Sequence, residues 1–516
     1  MSRLVWHRRD LRLHDNELYT QASRIYSLFI FDPDEFSPRP THIQNGAQSV
    51  THGPHFSRHL LHAVTSLRNS LEKLGGTLLI RHGSPLKVIP ELARELQVNE
   101  VAWSEIPGYY EYAQSEKLKR LLFCNNDVYT CKVYTTSSLT LAHPDDLPME
   151  QCVWERLARP KEKRKKKRPN NNSANSEKDH SHACVNNEWE KSSKITNISP
   201  SRFVGMPTIM GDFRRVSRTV SPVREIAERV SSNHLARDIL GINPGKIPSL
   251  EELTEPLALA ESKSILGLPK ELIQKVIKSA KDQYAKQQQL LCNHDMEEHA
   301  MHHLETFVQN HASCANRSAA DVSNNNSSQL SIYLALGILS PRQIYHHVIT
   351  YQQQCQQCGN NHADCSWILS HMEMRDYFLF DSFRNGSTSY HIQPHKSHNN
   401  GVQNGEWLSL SEHRDLFIQW ASGQTNLPLV DAGFNELIST GYTSNRVRQN
   451  MASVLTKDLK FDWRLGAEWF QFCLEDHCVA ANYGNWAYFA GVGGDPKNFV
   501  AINVQNFGYC RMVEWT

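Results

Sequence analysis

Between Thr440 and Trp486 the chain sets charged and amide side chains among aromatics more densely than packing alone would require. Asn445, Arg446, Arg448 and Gln449 form a polar edge on one helix. Asp458 and Asp462 precede Trp463, and Asp476 and Asn482 lead to Trp486. Buried polar groups are costly unless paired. Arg448 and Asp476 are therefore expected to meet, because guanidinium and carboxylate match in bidentate geometry. A second set, Ser327-Ser328-Gln329-Leu330-Ser331, puts hydroxyls and free backbone N–H groups at the start of a helix. The helix dipole favours an anion there, although a structural cap uses the same residues. A third set is Cys355, Cys358, His362 and Cys365. Thiolate and imidazole donors can close a tetrahedral zinc site. The Gln- and Asn-filled gaps read more plainly as a polar loop between helices, and no metal is expected.

The elements that must carry these groups differ along the chain. The first 135 or so residues alternate strand and helix patterns. Strand-like runs fall at Arg3–His7, Ile25–Phe31, Thr77–Arg81, Glu100–Trp103 and Val128–Thr130, with helical stretches at His59–Leu74 and Leu86–Leu96. This order predicts a parallel, Rossmann-like sheet covered by helices on both faces. Such a domain would span about residues 1–140. A linker follows over 141–214. Its basic run Lys161–Arg168 and the Asn/Ser/Lys-rich residues to Ser199 make about 155–200 an expected disordered insertion. The basic run reads equally as a nuclear import signal, a nucleic-acid patch or a solvated insertion. From residue 215 to 516 helical patterns dominate. Ser340-Pro341-Arg342 opens one helix, with Ser as N-cap and Pro at the first position. The fold class is thus an α/β N-terminal domain plus an all-α C-terminal domain.

Bulk properties narrow the possibilities. Net charge is +1 over 516 residues, so any nucleic-acid binding rests on a local patch. No run of 18 apolar residues exists, so a membrane span is not expected. The N-terminus begins directly in a strand pattern, which favours a cytoplasmic or nuclear location over organelle import. The twelve cysteines are too few for a disulfide scaffold in a chain of this length. A dinucleotide-dependent oxidoreductase is disfavoured, because no GxGxxG follows the first strand.

Three long motifs, in order, resemble the photolyase/cryptochrome family and its DASH subgroup most. They are Trp6–Asn16 (WHRRDLRLHDN), Leu334–Gly337 with Ser340-Pro341-Arg342, and the Ser-Asn-Arg-x-Arg-Gln-Asn, Asp-Trp-Arg-Leu-Gly-Ala-Glu-Trp-Phe and Asn-Tyr-Gly-Asn-Trp runs of the C-terminal third. The resemblance implies FAD bound by the helical domain. Ser327, Ser328, Gln329, Leu330 and Ser331 would hold its phosphates; Arg448, Asp476, His477, Cys478 and Asn482 would surround the ring and ribityl chain. Asn482 would face flavin N5, where an amide cannot supply a proton as a carboxylic acid could. Trp486, Trp463 and Trp407 would form the family's electron-transfer chain, suited by the low ionisation energy of indole. A folate antenna, methenyltetrahydrofolate, is implied between the domains, with Glu105 or Glu111 as its carboxylate. DNA, preferably single-stranded, would be met by a monomer through Asn445, Arg446 and Gln449.

The same alignment of motifs shows departures. The lesion-facing Glu and Trp of the family correspond to His371 and Met374, and Glu373 lies on another side of the helix. Gln329 stands where a basic residue is common, and Asp295-Met296-Glu297-Glu298 replaces the usual Gly-Gly-Glu. Two functions follow. One is light-driven repair of cyclobutane pyrimidine dimers, weakened at residues 371 and 374. The other is a blue-light photoreceptor without repair.

Overall fold

The computed structural model describes residues 1–40, 48–123, 131–158, 203–237, 241–259, 265–291, 295–311, 327–358, 365–391 and 407–493. The basic run 161–168, the expected strand 128–130 and His362 lie outside them.

Five parallel strands form the N-terminal sheet: β1 (Ser2–His7), β2 (Arg24–Phe31), β3 (Leu78–His82), β4 (Glu100–Ser104) and β5 (Lys132–Thr136), in the order β3-β2-β1-β4-β5. The central strands are buried on both faces, which is why they read as continuous apolar runs. Helices α1 (Pro54–Lys73), α2 (Pro85–Glu95) and α3 (Tyr109–Phe123) make the crossovers. The fifth strand falls after the expected one. Its pairing with β4, from Glu100↔Lys132 to Ser104↔Thr136, selects the register that local β-propensity left open.

The remaining principal helices are α4 (Met210–Val220), α5 (Lys270–Leu291), α6 (Met296–His311), α7 (Ser331–Leu336), α8 (Pro341–Gln357), α9 (Ser366–Asn385), α10 (Arg414–Ser422), α11 (Pro428–Thr440), α12 (Asn445–Ser453), α13 (Trp463–Cys473) and α14 (Val479–Phe489). Among the described residues, no helix is long and apolar enough to cross a membrane. The segment around α4 is packed rather than loose: Phe203, Met210 and Phe213 share a core with Trp154, Tyr377 and Phe380.

The Trp6–Asn16 motif and the α7–α8 corner interlock. Leu11 N donates to Leu336 O, and the Arg12 guanidinium donates to the carbonyls of Asp15, Gly337 and Ser138. Arg342 pairs with Asp15 at 2.9 Å and Glu17 at 2.5 Å. Gly337 adopts φ +67°, and a Cβ there would meet Arg9 O at 1.8 Å, so only glycine fits this approach. Ser340 caps α8 in a full capping box with Gln343. Glu297 accepts from Leu13 N and His14 N at 2.7 and 3.0 Å. A carboxylate at the start of α6 thus joins the helical part to the first motif, without the glycines the family resemblance led one to expect.

Candidate functional site

Helices α12, α13 and α14 enclose a cavity of about 150 Å³ whose wall carries Asn445, Arg448, Gln449, Asp476, Cys478, Asn482 and Trp486. Ser444 starts α12 by accepting from Val447 N, and that start directs Arg448 across the cavity. Its guanidinium meets Asp476 through two N–H···O bonds of 3.1 and 3.0 Å, while Nε donates to Thr443 O at 2.9 Å. Burial alone would lower the Arg448 pKa, but Asp476 outweighs it and holds it above its ordinary value. Asn482 commits its amide nitrogen to Ala467 O at 2.8 Å, which fixes the side chain between α13 and α14.

The Ser327–Ser331 segment connects to this pair through a residue that sequence reasoning missed. The Ser327 and Tyr442 hydroxyls lie 2.6 Å apart, and the Arg448 guanidinium sits 5.2 Å from the Tyr442 ring centroid. Gln329 sits at φ +49°, Leu330 is the N-cap residue and Ser331 opens α7. His303 of α6 holds the segment from behind, its Nε2 lying 2.8 Å from Ser328 O. The donor set is therefore hydroxyls at one end and a guanidinium–carboxylate pair with an amide at the other. That chemistry fits a dinucleotide carrying a diphosphate and an imide-edged ring.

Of the three tryptophans, Trp486 lines the cavity, and Trp463 and Trp407 do not. Trp486 and Trp463 are buried. Trp407 is half-buried, in a segment whose next residue, Leu408, donates its N–H to Lys460 O at 2.7 Å and pairs with Phe461. Gly466 of α13 lets Trp486 approach the helix: a Cβ there would meet the indole Cη2 at 2.2 Å. Trp420 of α10, not singled out from sequence, packs edge-on against Trp486 with ring centroids 6.2 Å apart.

Asn445 is exposed, and Arg446 donates to Gln449 Oε1 at 3.2 Å, so these three residues form one rim. His371 and Met374 are not brought into the cavity. His371 is exposed and meets Trp367 edge-on at 5.6 Å. Met374 packs on the core of Trp154 and Phe213. Glu373 accepts from Arg214 and Arg218, which ties α9 to α4. The family-like Arg-Asp pair beside it bridges to the N-terminal half: Arg375 donates to Leu139 O, and Asp376 accepts from Leu141 N and Ala142 N at 3.0 and 2.8 Å. Burial pushes the Asp376 pKa up to about 7.

A second cavity, about 710 Å³, lies between the two halves and is lined by Arg39, Tyr109, Tyr110, Glu111, Tyr390, Arg464, His477 and Tyr483. It separates the two candidate acids. Glu111 lines it, with Gly108 closely apposed to its carboxylate. Glu105 has no exposed surface, is held by Ser115 and by Lys119 at 2.8 Å, and does not line this cavity. His477 also departs from expectation. It faces this second cavity rather than that of Arg448, and burial pushes its pKa down to about 3, so it is neutral. Cys355, Cys358 and Cys365 are not in disulfides, and Cys365 lies in the core. Among the described residues no group of His, Cys, Asp or Glu could hold a metal.

Residues 3–178 match a family model described as DNA photolyase, and residues 368–509 match one described as the FAD binding domain of DNA photolyase. The chain is 31% identical to a cryptochrome DASH of Danio rerio, over 96% of this chain and 78% of the relative. It is 29% identical to a cryptochrome DASH of Gloeobacter violaceus, over 97% and 81%. The crystal structure of a Synechocystis cryptochrome superposes with TM-score 0.66 and 27% identity, over 98% of this chain and 84% of that one.

Proposed function

The chain belongs to the cryptochrome DASH branch of the photolyase/cryptochrome family, with an FAD-binding domain in its C-terminal part, and on that footing we propose that it is a blue-light-driven electron-transfer protein that meets single-stranded DNA at the Asn445–Gln449 rim. The observation that carries this reading is the buried Arg448–Asp476 pair beside Asn482 and Trp486. Bound FAD supplies a light-absorbing redox centre. The protein's part is to grip and insulate it. Ser327, Ser328 and Ser331 with the backbone at Gln329 and Leu330 would take the diphosphate, and Tyr442 ties that end to Arg448.

Asp476, met by two donors of Arg448, would accept a hydrogen bond from a proton-bearing ring nitrogen. Asn482 spends one N–H on Ala467 O, so its second N–H and its amide oxygen would remain for the ring edge, and an amide supplies no proton there. Trp486, Trp463 and Trp407 would replace the lost electron stepwise. Asn445 and Arg446 would hold a phosphate near the rim, and a base reaches it most cheaply from a single strand. Glu111 would hold a folate-like antenna in the interdomain cavity.

Repair of pyrimidine dimers is expected to be slow, because His371 and Met374 stand clear of the cavity. The same observation favours a second reading, a photoreceptor without repair. The test is spectral. The purified protein should show oxidised flavin bands, bleach in blue light with a thiol, and restore little pyrimidine absorbance in dimer-bearing single-stranded DNA. Because residue 371 is exposed and clear of the cavity, His371→Glu alone should leave that restoration unchanged. A colourless protein that cannot be loaded with FAD would overturn the proposal; fast repair by the unaltered chain would remove the photoreceptor reading.

A further inference from the structure

The ring contacts that begin at Trp463 continue past the tryptophans. Trp463 meets Tyr483 with centroids 6.1 Å apart at 79°. Tyr483 meets Tyr390 at 4.9 Å and 68°. Tyr390 meets Tyr109 at 6.5 Å and 54°. The series starts at an indole with no exposed surface and ends at a phenol that is 52% exposed. The Tyr390 hydroxyl also accepts the Tyr109 backbone N–H at 3.2 Å, which fixes the last pair. All three tyrosines line the interdomain cavity, whose size and polar groups admit water.

We propose that Tyr483, Tyr390 and Tyr109 form a second exit for the oxidising equivalent, branching at Trp463 away from Trp407 and into the interdomain cavity. The inference rests on the electron-transfer reading of Trp486 and Trp463 given above. The residue types suit the task. A phenol is hard to oxidise while it keeps its proton and far easier to oxidise when the proton leaves with the electron. A route of phenols therefore works only beside a proton acceptor, and the cavity water is one. At rest, burial holds the Tyr390 and Tyr483 pKa values above the ordinary tyrosine range, so both phenols are protonated.

The steps balance. One electron passes from Tyr483 to the oxidised indole of Trp463, which becomes neutral. The Tyr483 O–H bond breaks, and its proton goes to cavity water. Tyr483 then regains an electron from Tyr390 and a proton from the cavity, while Tyr390 releases its own proton there. Tyr109 restores Tyr390 in the same manner. A thiol in solution is the final reductant: it gives Tyr109 one hydrogen atom, and two of the resulting thiyl radicals couple to a disulfide.

The packing alternative is tested by removing single hydroxyls, since Tyr→Phe keeps the ring. Flavin-loaded protein containing ring-deuterated tyrosine is illuminated, frozen and examined by electron paramagnetic resonance. The expected signal is a tyrosyl radical, narrowed by the deuteration and lost in Tyr483→Phe. Trp407→Phe should keep part of its thiol-dependent photoreduction, and adding Tyr483→Phe should slow that remainder about tenfold. A radical insensitive to deuteration, or one that persists in Tyr483→Phe, overturns the branch and leaves the tryptophan route intact. Unchanged radical yield in Trp463→Phe overturns both, and so marks failure of the underlying reading.

Discussion

Asp476 is nearly sealed from water, and Arg448 reaches it with two donors. Removing one member of such a pair strands the other. Arg448→Ala is therefore expected to cost about 3 kcal/mol in denaturant unfolding and to lower the flavin absorbance retained per mole of protein. Equal stability and full flavin content would contradict it. The pair was legible in the sequence because Arg and Asp have few other ways to be buried. Tyr442 was not, since a tyrosine in a loop carries no local sign of which hydroxyl it will meet. His371 and Met374 were recognisable as departures, but only the fold shows that one is exposed and the other spent on the Trp154 core. His477 was assigned to the flavin side by its neighbours in sequence. Its side chain points to the other cavity, because adjacent residues in extended backbone at a helix start face opposite ways.

At the scale of elements, the site depends on how closely α13 and α14 pack. Gly466 is the contact point: an added methyl would overlap Trp486 at 2.2 Å and Leu455 at 2.7 Å. Gly466→Ala should cost about 1–3 kcal/mol by overpacking and should slow photoreduction by displacing the indole. Gly211, in α4 with nothing within 4 Å, is the control: Gly211→Ala should stabilise by about 0.5–1 kcal/mol. Thermal melts of both variants, with photobleaching rates, decide the matter. Equal effects of the two changes would rule out a special role for the α13–α14 contact. The order of strands and the α8 cap were readable from alternation and from Ser-Pro. The place of β5 was not, because register is settled by a partner strand distant in the chain. The packed state of α4 also escaped the sequence reading, since its partners lie in α9, more than 150 residues later.

The two halves are held together by charges at several points. Arg58 of α1 donates to Thr440 O at 2.7 Å and to Glu475 at 2.5 Å, and His55 meets Ile438 O at 3.0 Å. Burial would raise the Glu475 pKa, but His59 and Arg58 outweigh it and hold it down at about 2, against 4.5 for the free group. A carboxylate lowered in the native state stabilises fully above the unfolded value and ceases to do so as pH falls through the native one. The lock should thus weaken between about pH 4.5 and about 2, by roughly 3 kcal/mol in all. Urea midpoints of the parent protein and Glu475→Gln, compared down this range, should converge; parallel curves would show that the carboxylate does not set the acid limit. Arg12 has a different consequence, for how the protein is made. Its guanidinium is fully enclosed and donates to Gly337, 325 residues further on. At a ribosomal rate of about 5–20 residues per second, roughly 15–65 seconds separate the synthesis of these two residues. During that interval the Arg12 N–H that will meet Gly337 has only water to bond, while Asp15 and Ser138 already serve its other donors, so this corner of the first half stays open until the second arrives.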